Sequence, residues 1–317
     1  MSDASPNTED PMEIIKTLPG DADHETTTTN NNNDGGGGGG KNEYDDDDRT
    51  WVAPTYPLIL EVRNAHERDQ RIQFEEKEHK YTIDGSSTMY QSCTGFIHQF
   101  CQEFDADAVI MKMMSGPKWN PTNKYWGMTR DQIKAQWAQG GSDASAEGTK
   151  VHLLVEYINN DVVLRKRDAA RKEIQMFRSY CTMYAGSFQP YRTEWSIFIE
   201  EYLVCGQVDV ILFNPATGKY IVGDYKRCKA ITRTNKYQKM KEPLAHLDDC
   251  NYNHYCIQLN VYRAILERKY GIVVESMHLC VLHPAQTQYM FIPIPFMERE
   301  VQAMFQHRLV THILDEE

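Results

Sequence analysis

The sequence predicts an α/β fold of the α+β kind, a central mixed β-sheet flanked by helices on both faces. Three observations predict it. Apolar, β-prone runs follow one another at Arg192–Ile199, Tyr202–Phe213 and Lys219–Lys226, and Asn214-Pro215-Ala216-Thr217-Gly218 supplies a hairpin loop between the last two. Helical apolar spacing brackets that block, in Ala169–Tyr184 before it and Asn251–Tyr270 after it. Two more strand-like runs, Ser276–Leu282 and Gln288–Ile294, are followed by a helical Met297–Leu314. Such an order buries its apolar faces most simply as helices laid on a sheet.

Residues 1–50 differ in kind from the rest. They hold Thr26–Thr29, Asn30–Asn33, six glycines at Gly35–Gly40 and Asp45–Asp48, and are expected to be a disordered acidic tail dispensable for chemistry. From Trp51 to Gly85 the chain is charged and mixed, with Ile72-Gln73-Phe74-Glu75 and Tyr81-Thr82-Ile83 reading as a small antiparallel pair. Thr94–Met114 reads as one or two helices, burying Phe96, Ile97, Phe100, Phe104, Val109, Ile110 and Met113. Pro117–Gly127 is a connector, and Thr129 N-caps a helix through Trp137. At Gly148 a helix begins or continues, running to about Ile158, with Gly148 letting that segment pack closely on a neighbour. In Ala169–Tyr184 one face carries Ile174, Phe177, Tyr180 and Cys181, and Gly271 stops the Asn251–Tyr270 helix.

The formal net charge is −11, but residues 1–50 contribute thirteen acidic and three basic groups, so the body is nearly neutral. A neutral body can hold a local basic groove, so nucleic acid is not excluded as a partner. Eight cysteines occur without a CxxC pair, as expected of reduced core thiols in an intracellular compartment, nucleus or cytoplasm. No secretory or transit signal and no membrane-spanning apolar run is read, so no membrane partner is expected.

Candidate chemistry gathers around the β block. Asp209 sits inside the apolar run Leu203–Phe213, where a carboxylate is costly unless it binds something charged. Asp224 and Lys226 close the next run and, at i and i+2, project to one face. Two aspartates beside a lysine suit a divalent cation and an activated water. His152 lies four residues before Glu156, on the same helical face. Glu194, one strand before Asp209, could join a metal shell, pair with a basic group or be a plain surface charge. Gln258 and Tyr262 also share a helical face, and such side chains can bond phosphate or stack on a base. Arg227 and Lys229 open the most basic window of the body, which continues through Arg233, Lys236, Lys239 and Lys241 around Tyr237 and suits phosphate contact.

In that order, His152, Glu194, Gly206-x-x-Asp209, Asp224-x-Lys226 and Gln258-x-x-x-Tyr262 resemble the RecB-like branch of the PD-(D/E)xK nuclease superfamily. The resemblance covers about Glu147 to Tyr262. Ser92-Cys93-Thr94 is also similar to the segment preceding the core in viral and mitochondrial exonucleases of this group. It implies a restriction-endonuclease-like core at 146–317 and a helical and hairpin substrate-binding part at 51–145, within one nuclease domain from 51 to 317. It further implies that His152, Asp209, Asp224 and the Tyr225 backbone carbonyl hold Mg²⁺ or Mn²⁺. Asp209, Asp224 and Lys226 would then be catalytic, with Gln258 and Tyr262 in support. Some relatives carry an iron–sulfur cluster on four cysteines, three of them after the QxxxY helix; here only Cys280 follows it, so none is expected. No GxxxxGK[ST] occurs, so a motor-linked enzyme is not expected. The function implied is a DNA exonuclease on ends or single strands. An RNA or structure-specific endonuclease and a catalytically silent binding module stand as alternatives.

Overall fold

The computed structural model describes residues 51–315. The acidic segment expected to be disordered lies outside the described residues. In chain order the elements are α1 (Ile59–Arg63), β1 (Ile72–Glu75), β2 (Lys80–Ile83), β3 (Gln91–Ser92), α2 (Cys93–His98), α3 (Ala106–Met114), α4 (Arg130–Asn159), α5 (Lys166–Ala169) and α6 (Lys172–Tyr184). They continue with β4 (Gln189–Ile199), β5 (Val204–Asn214), β6 (Lys219–Lys226), α7 (Asn251–Lys269), β7 (Val274–Val281), β8 (Met290–Ile294) and α8 (Glu298–Asp315).

β3 to β8 form one mixed sheet. β4 runs antiparallel to β5 along its whole length, from Ile199 opposite Val204 to Gln189 opposite Phe213. The other edge of β5 is shared. Parallel β3 takes Val204 and Cys205, and antiparallel β6 takes Val210 to Asn214. Between those two pairings the edge at residues 206–209 is open. β6 pairs parallel with β7, and β7 antiparallel with β8.

Both faces are covered. Phe96 and Ile97 of α2 with Phe100 just after it, Leu259 and Leu266 of α7, and Met304 and Phe305 of α8 pack on one face, against Val208, Ile211 and Val222. Val151, Leu154 and Val155 of α4 and Ile174, Phe177 and Tyr180 of α6 pack on the other, against Val210, Leu212 and Tyr225. This is the mixed α/β architecture that the strand and helix order predicts.

Three local expectations need correction. α4 is a single 30-residue helix that does not end at Trp137 but runs on through Gly148 to Asn159. Thr129 does cap it, through a reciprocal box in which Thr129 Oγ1 accepts from Gln132 N (3.2 Å) and Gln132 Oε1 accepts from Thr129 N (2.8 Å). Gly140 and Gly141 each cost about 1 kcal/mol relative to alanine, which lowers propensity without breaking a helix whose two ends are anchored. Gly148 makes no close approach, since a Cβ there would meet nothing within 4 Å. Phe104 is exposed and Val109 half-buried, because Phe104 falls in the link between α2 and α3 rather than on a continuous helical face. Residue 146 lies inside α4, and β3 pairs with β5 in the main sheet.

Candidate active site

The open edge of β5 builds the site. One residue before its pairing with β6 begins, Asp209 turns its carboxylate into the ladder, and Oδ2 accepts a hydrogen bond from the Tyr225 backbone N–H at 2.6 Å. A side chain thus stands where a backbone carbonyl would otherwise close the sheet, and β5 and β6 part there. Asp209 and Asp224 are buried, at 8% and 1% exposure. Apart from the Lys226 ammonium 3.1 Å from Oδ2, neither Asp224 oxygen has a partner among the described residues. Burial, with the Asp209 charge adding to it, pushes Asp224 up to about 7 against the pull of Lys226 and His152. Burial likewise raises Asp209, opposed chiefly by His152.

α4 delivers His152 from the opposite layer. Nε2 lies 2.7 Å from the Tyr225 carbonyl oxygen, which can only accept, so Nε2 carries the proton. Nδ1 then faces Glu194 Oε1 at 3.5 Å and Asp209 Oδ2 at 3.6 Å. Burial would lower His152, but Asp209 and Glu194 outweigh it and raise the imidazole to about 10. Glu194 reaches this place because its backbone is left-handed (φ +43°), an unusual conformation inside a strand. Its carbonyl is held by Gln207 Nε2 at 3.0 Å.

A nitrogen lone pair facing two carboxylates calls for a positive charge between them, either a proton or a cation. His152, Glu194 and Asp209 offer one ligand atom each within 4.8 Å of one another, and imidazole plus carboxylates fits Mn²⁺ or Mg²⁺.

α7 supports the site from the other face. Tyr262 is buried, its hydroxyl accepts from Gln258 Nε2 at 3.2 Å, and its ring lies against Gly206. A Cβ at Gly206 would come within 2.6 Å of Tyr262 Cε1, so only glycine lets α7 press on β5 there.

The structure thus brings together His152, Glu194, Asp209, Asp224, Lys226 and Tyr225, with Gln258 and Tyr262 beside them. Arg227 is drawn away from any open phosphate path: its Nε pairs with buried Glu173 at 2.9 Å. Lys229 is exposed. Of the rest of the basic window, Lys239 pairs with Asp248 and Arg233 lies over Tyr252.

Two contributors escaped the sequence. The Lys226 ammonium sits 5.0 Å from the centroid of the Tyr255 ring, and Tyr255 lies three residues before Gln258, on the same helical face, a signal that could have found it. Glu173, the partner of Arg227, carried no such signal.

No family model and no curated protein matches the chain. Among solved structures it is similar to one described as SSO0001, at 16% identity and TM-score 0.29, over 71% of this chain and 78% of that one. It is also similar to a protein from Eubacterium rectale provisionally named an exonuclease, at 12% identity and TM-score 0.31, over 71% of this chain and 79% of that one. The reading of the site therefore rests on its own residues. No helix among the described residues is long and apolar enough to cross a membrane.

Proposed function

We propose that this chain is a metal-dependent nuclease of the PD-(D/E)xK type that hydrolyses phosphodiester bonds in DNA, acting on ends or single strands. One observation carries the reading: His152 Nδ1 faces two carboxylates at 3.5 and 3.6 Å beside the buried Asp224–Lys226 pair. His152, Asp209 and Glu194 would hold the cation, with Asp224 and the Tyr225 carbonyl adjoining. Bound Mg²⁺ or Mn²⁺ would neutralise phosphate charge and acidify a water.

The protein's own groups do the rest. Asp224 and the Tyr255 ring fix the Lys226 ammonium, which can orient the attacking water or stabilise charge on the phosphate oxygens. Asp209 ties β5 to β6 through the Tyr225 N–H, next to Asp224 on the same strand. Gln258 and Tyr262 buttress β5 at Gly206. Lys229 would contact the nucleic-acid backbone, and Arg227 would do so by exchanging Glu173 for phosphate. The part before residue 146 presents exposed Trp126, and its Lys112 lies over the ring of exposed Tyr237 from the basic window, groups on which unstacked bases could rest.

The test is incubation with labelled linear and circular DNA, single- and double-stranded, and with RNA, under Mg²⁺, Mn²⁺ or EDTA. Cleavage of linear DNA with metal and none with EDTA is expected. Equal cutting of circles would make it an endonuclease, cleavage of RNA alone would change the substrate, and binding without cleavage would leave a silent binding module.

A further inference from the structure

We propose that Cys101, Asp249 and His254 form a second cation site, separate from the one at Asp209, which takes a zinc-like divalent ion. Asp249 and His254 flank the start of α7, five residues apart, and Cys101, just past α2, is brought to them from 153 residues before His254. All three are buried, and their ligand atoms lie within 4.8 Å of one another.

The spacing suits a small ion. Zinc bonds of about 2.3 Å to sulfur and 2.0–2.2 Å to nitrogen or oxygen set tetrahedral ligands roughly 3.3–3.6 Å apart. Cys101 Sγ and His254 Nε2 are 3.3 Å apart, so that pair already stands at a metal-ligand separation. His254 Nε2 and Asp249 Oδ1 are closer, at 2.6 Å, a hydrogen bond that an ion would open. Asp249 is held for either state, because its Oδ2 accepts from the Gln102 backbone N–H at 2.6 Å. Orientation of a ligating carboxylate by a backbone donor is what metal sites require of the groups behind the ligands.

The proton balance also works. His254 Nδ1 is buried with no partner among the described residues, so the ring can carry its proton there and offer the Nε2 lone pair. Binding would move the proton that Nε2 gives to Asp249 round to Nδ1 and replace the Cys101 thiol proton with the cation, one proton leaving to water. Thiolate and imidazole favour zinc over magnesium, so the two sites would sort different ions. Water would complete the three-ligand set.

The consequence is mechanical. The loop from Arg227 to Cys250 leaves the Lys226 strand and returns as α7, which carries Tyr255, Gln258 and Tyr262. An ion here would tie the loop's return to α2 without touching the reacting phosphate.

The full chain is tested after loading with Zn²⁺ and removal of weakly held ion, in the Asp209→Ala background so that the first site is silenced. One zinc per chain is expected, lost in Cys101→Ser and in His254→Gln. Loading with Co²⁺ should give a thiolate-to-metal charge-transfer band that Cys101→Ser abolishes. An Asp209→Ala chain that takes up no zinc, or a Cys101→Ser chain that keeps both zinc and band, makes the cluster a hydrogen-bonded brace and overturns the proposal. If the variants fail to fold, the band in the Asp209→Ala protein alone decides: its absence overturns the site. Zinc uptake without nuclease activity would sink the proposed function and leave this site standing.

Discussion

Gly206 of β5 and Tyr262 of α7 touch so closely that a Cβ on the first would lie 2.6 Å from Cε1 of the second. Asp209 is three residues further along the same strand. Gly206→Ala should therefore push β5 and α7 apart, costing about 1–3 kcal/mol as overpacking does. Thermal melts should show the loss, and cleavage should fall with it. In a double-mutant cycle with Tyr262→Ala the two losses should be strongly non-additive. Additive losses would mean that the contact does not set the strand's position.

The carboxylates and lysine at the parted strands should be indispensable. Asp209→Asn, Asp224→Asn and Lys226→Ala are each expected to lower the cleavage rate at least about 10²-fold, the scale at which loss of one charge-stabilising group acts. Circular dichroism should stay that of the wild type. A folded Asp224→Asn protein with full metal-dependent activity would reject the assignment.

His152 and Glu194 should act through the cation. His152→Ala and Glu194→Gln are expected to move the midpoint of Mn²⁺ activation upward at least about tenfold, with part of the rate recovered at high Mn²⁺. The free imidazole is raised to about 10, so a cation must displace its proton, and metal affinity should tighten as pH rises towards that value. Unchanged Mn²⁺ midpoints with lower melting temperatures would assign these residues to packing.

Glu156, one turn beyond His152 on α4, is pushed up to about 7, mainly by burial, while accepting a 2.7 Å hydrogen bond from the Tyr56 hydroxyl. Its folded pKa lies above the ordinary 4.5, so the native chain holds this proton more tightly than the unfolded one. Stability from this group is therefore present below pH 4.5 and lost as pH rises to about 7. Glu156→Gln keeps an acceptor for Tyr56 and removes the buried charge. Its melting temperature in EDTA should exceed that of the wild type by an amount that grows across this window. A constant difference from pH 4 to pH 8 would show that the charge is not what matters.

Much of the frame was legible because each element carries its own periodicity. Asp224 and Lys226 had to share a face, as i and i+2 on any strand do, and they meet at 3.1 Å. The cap at Thr129 was legible, but the length of α4 was not, since glycines at 140 and 141 lower local propensity while the anchors that override it are tertiary. The loop basicity was legible as composition. That Arg227 spends its charge on Glu173 was not, because the pair joins residues 54 apart.

By itself the sequence determined the order of the main strands and helices and the presence of two aspartates and a lysine on neighbouring strands, although Asp209 falls in the middle of β5 and not at its end. It did so because apolar spacing and turn chemistry are local properties of the chain. Only the tertiary structure decided that β3 and β6 share one edge of β5 and leave residues 206–209 open. Only it decided that Glu194 turns through a left-handed backbone to His152, and that Cys101 meets Asp249 and His254. Those relationships depend on which surfaces are buried against which, and a charge or a thiol acquires its partner only when a distant segment brings it out of water.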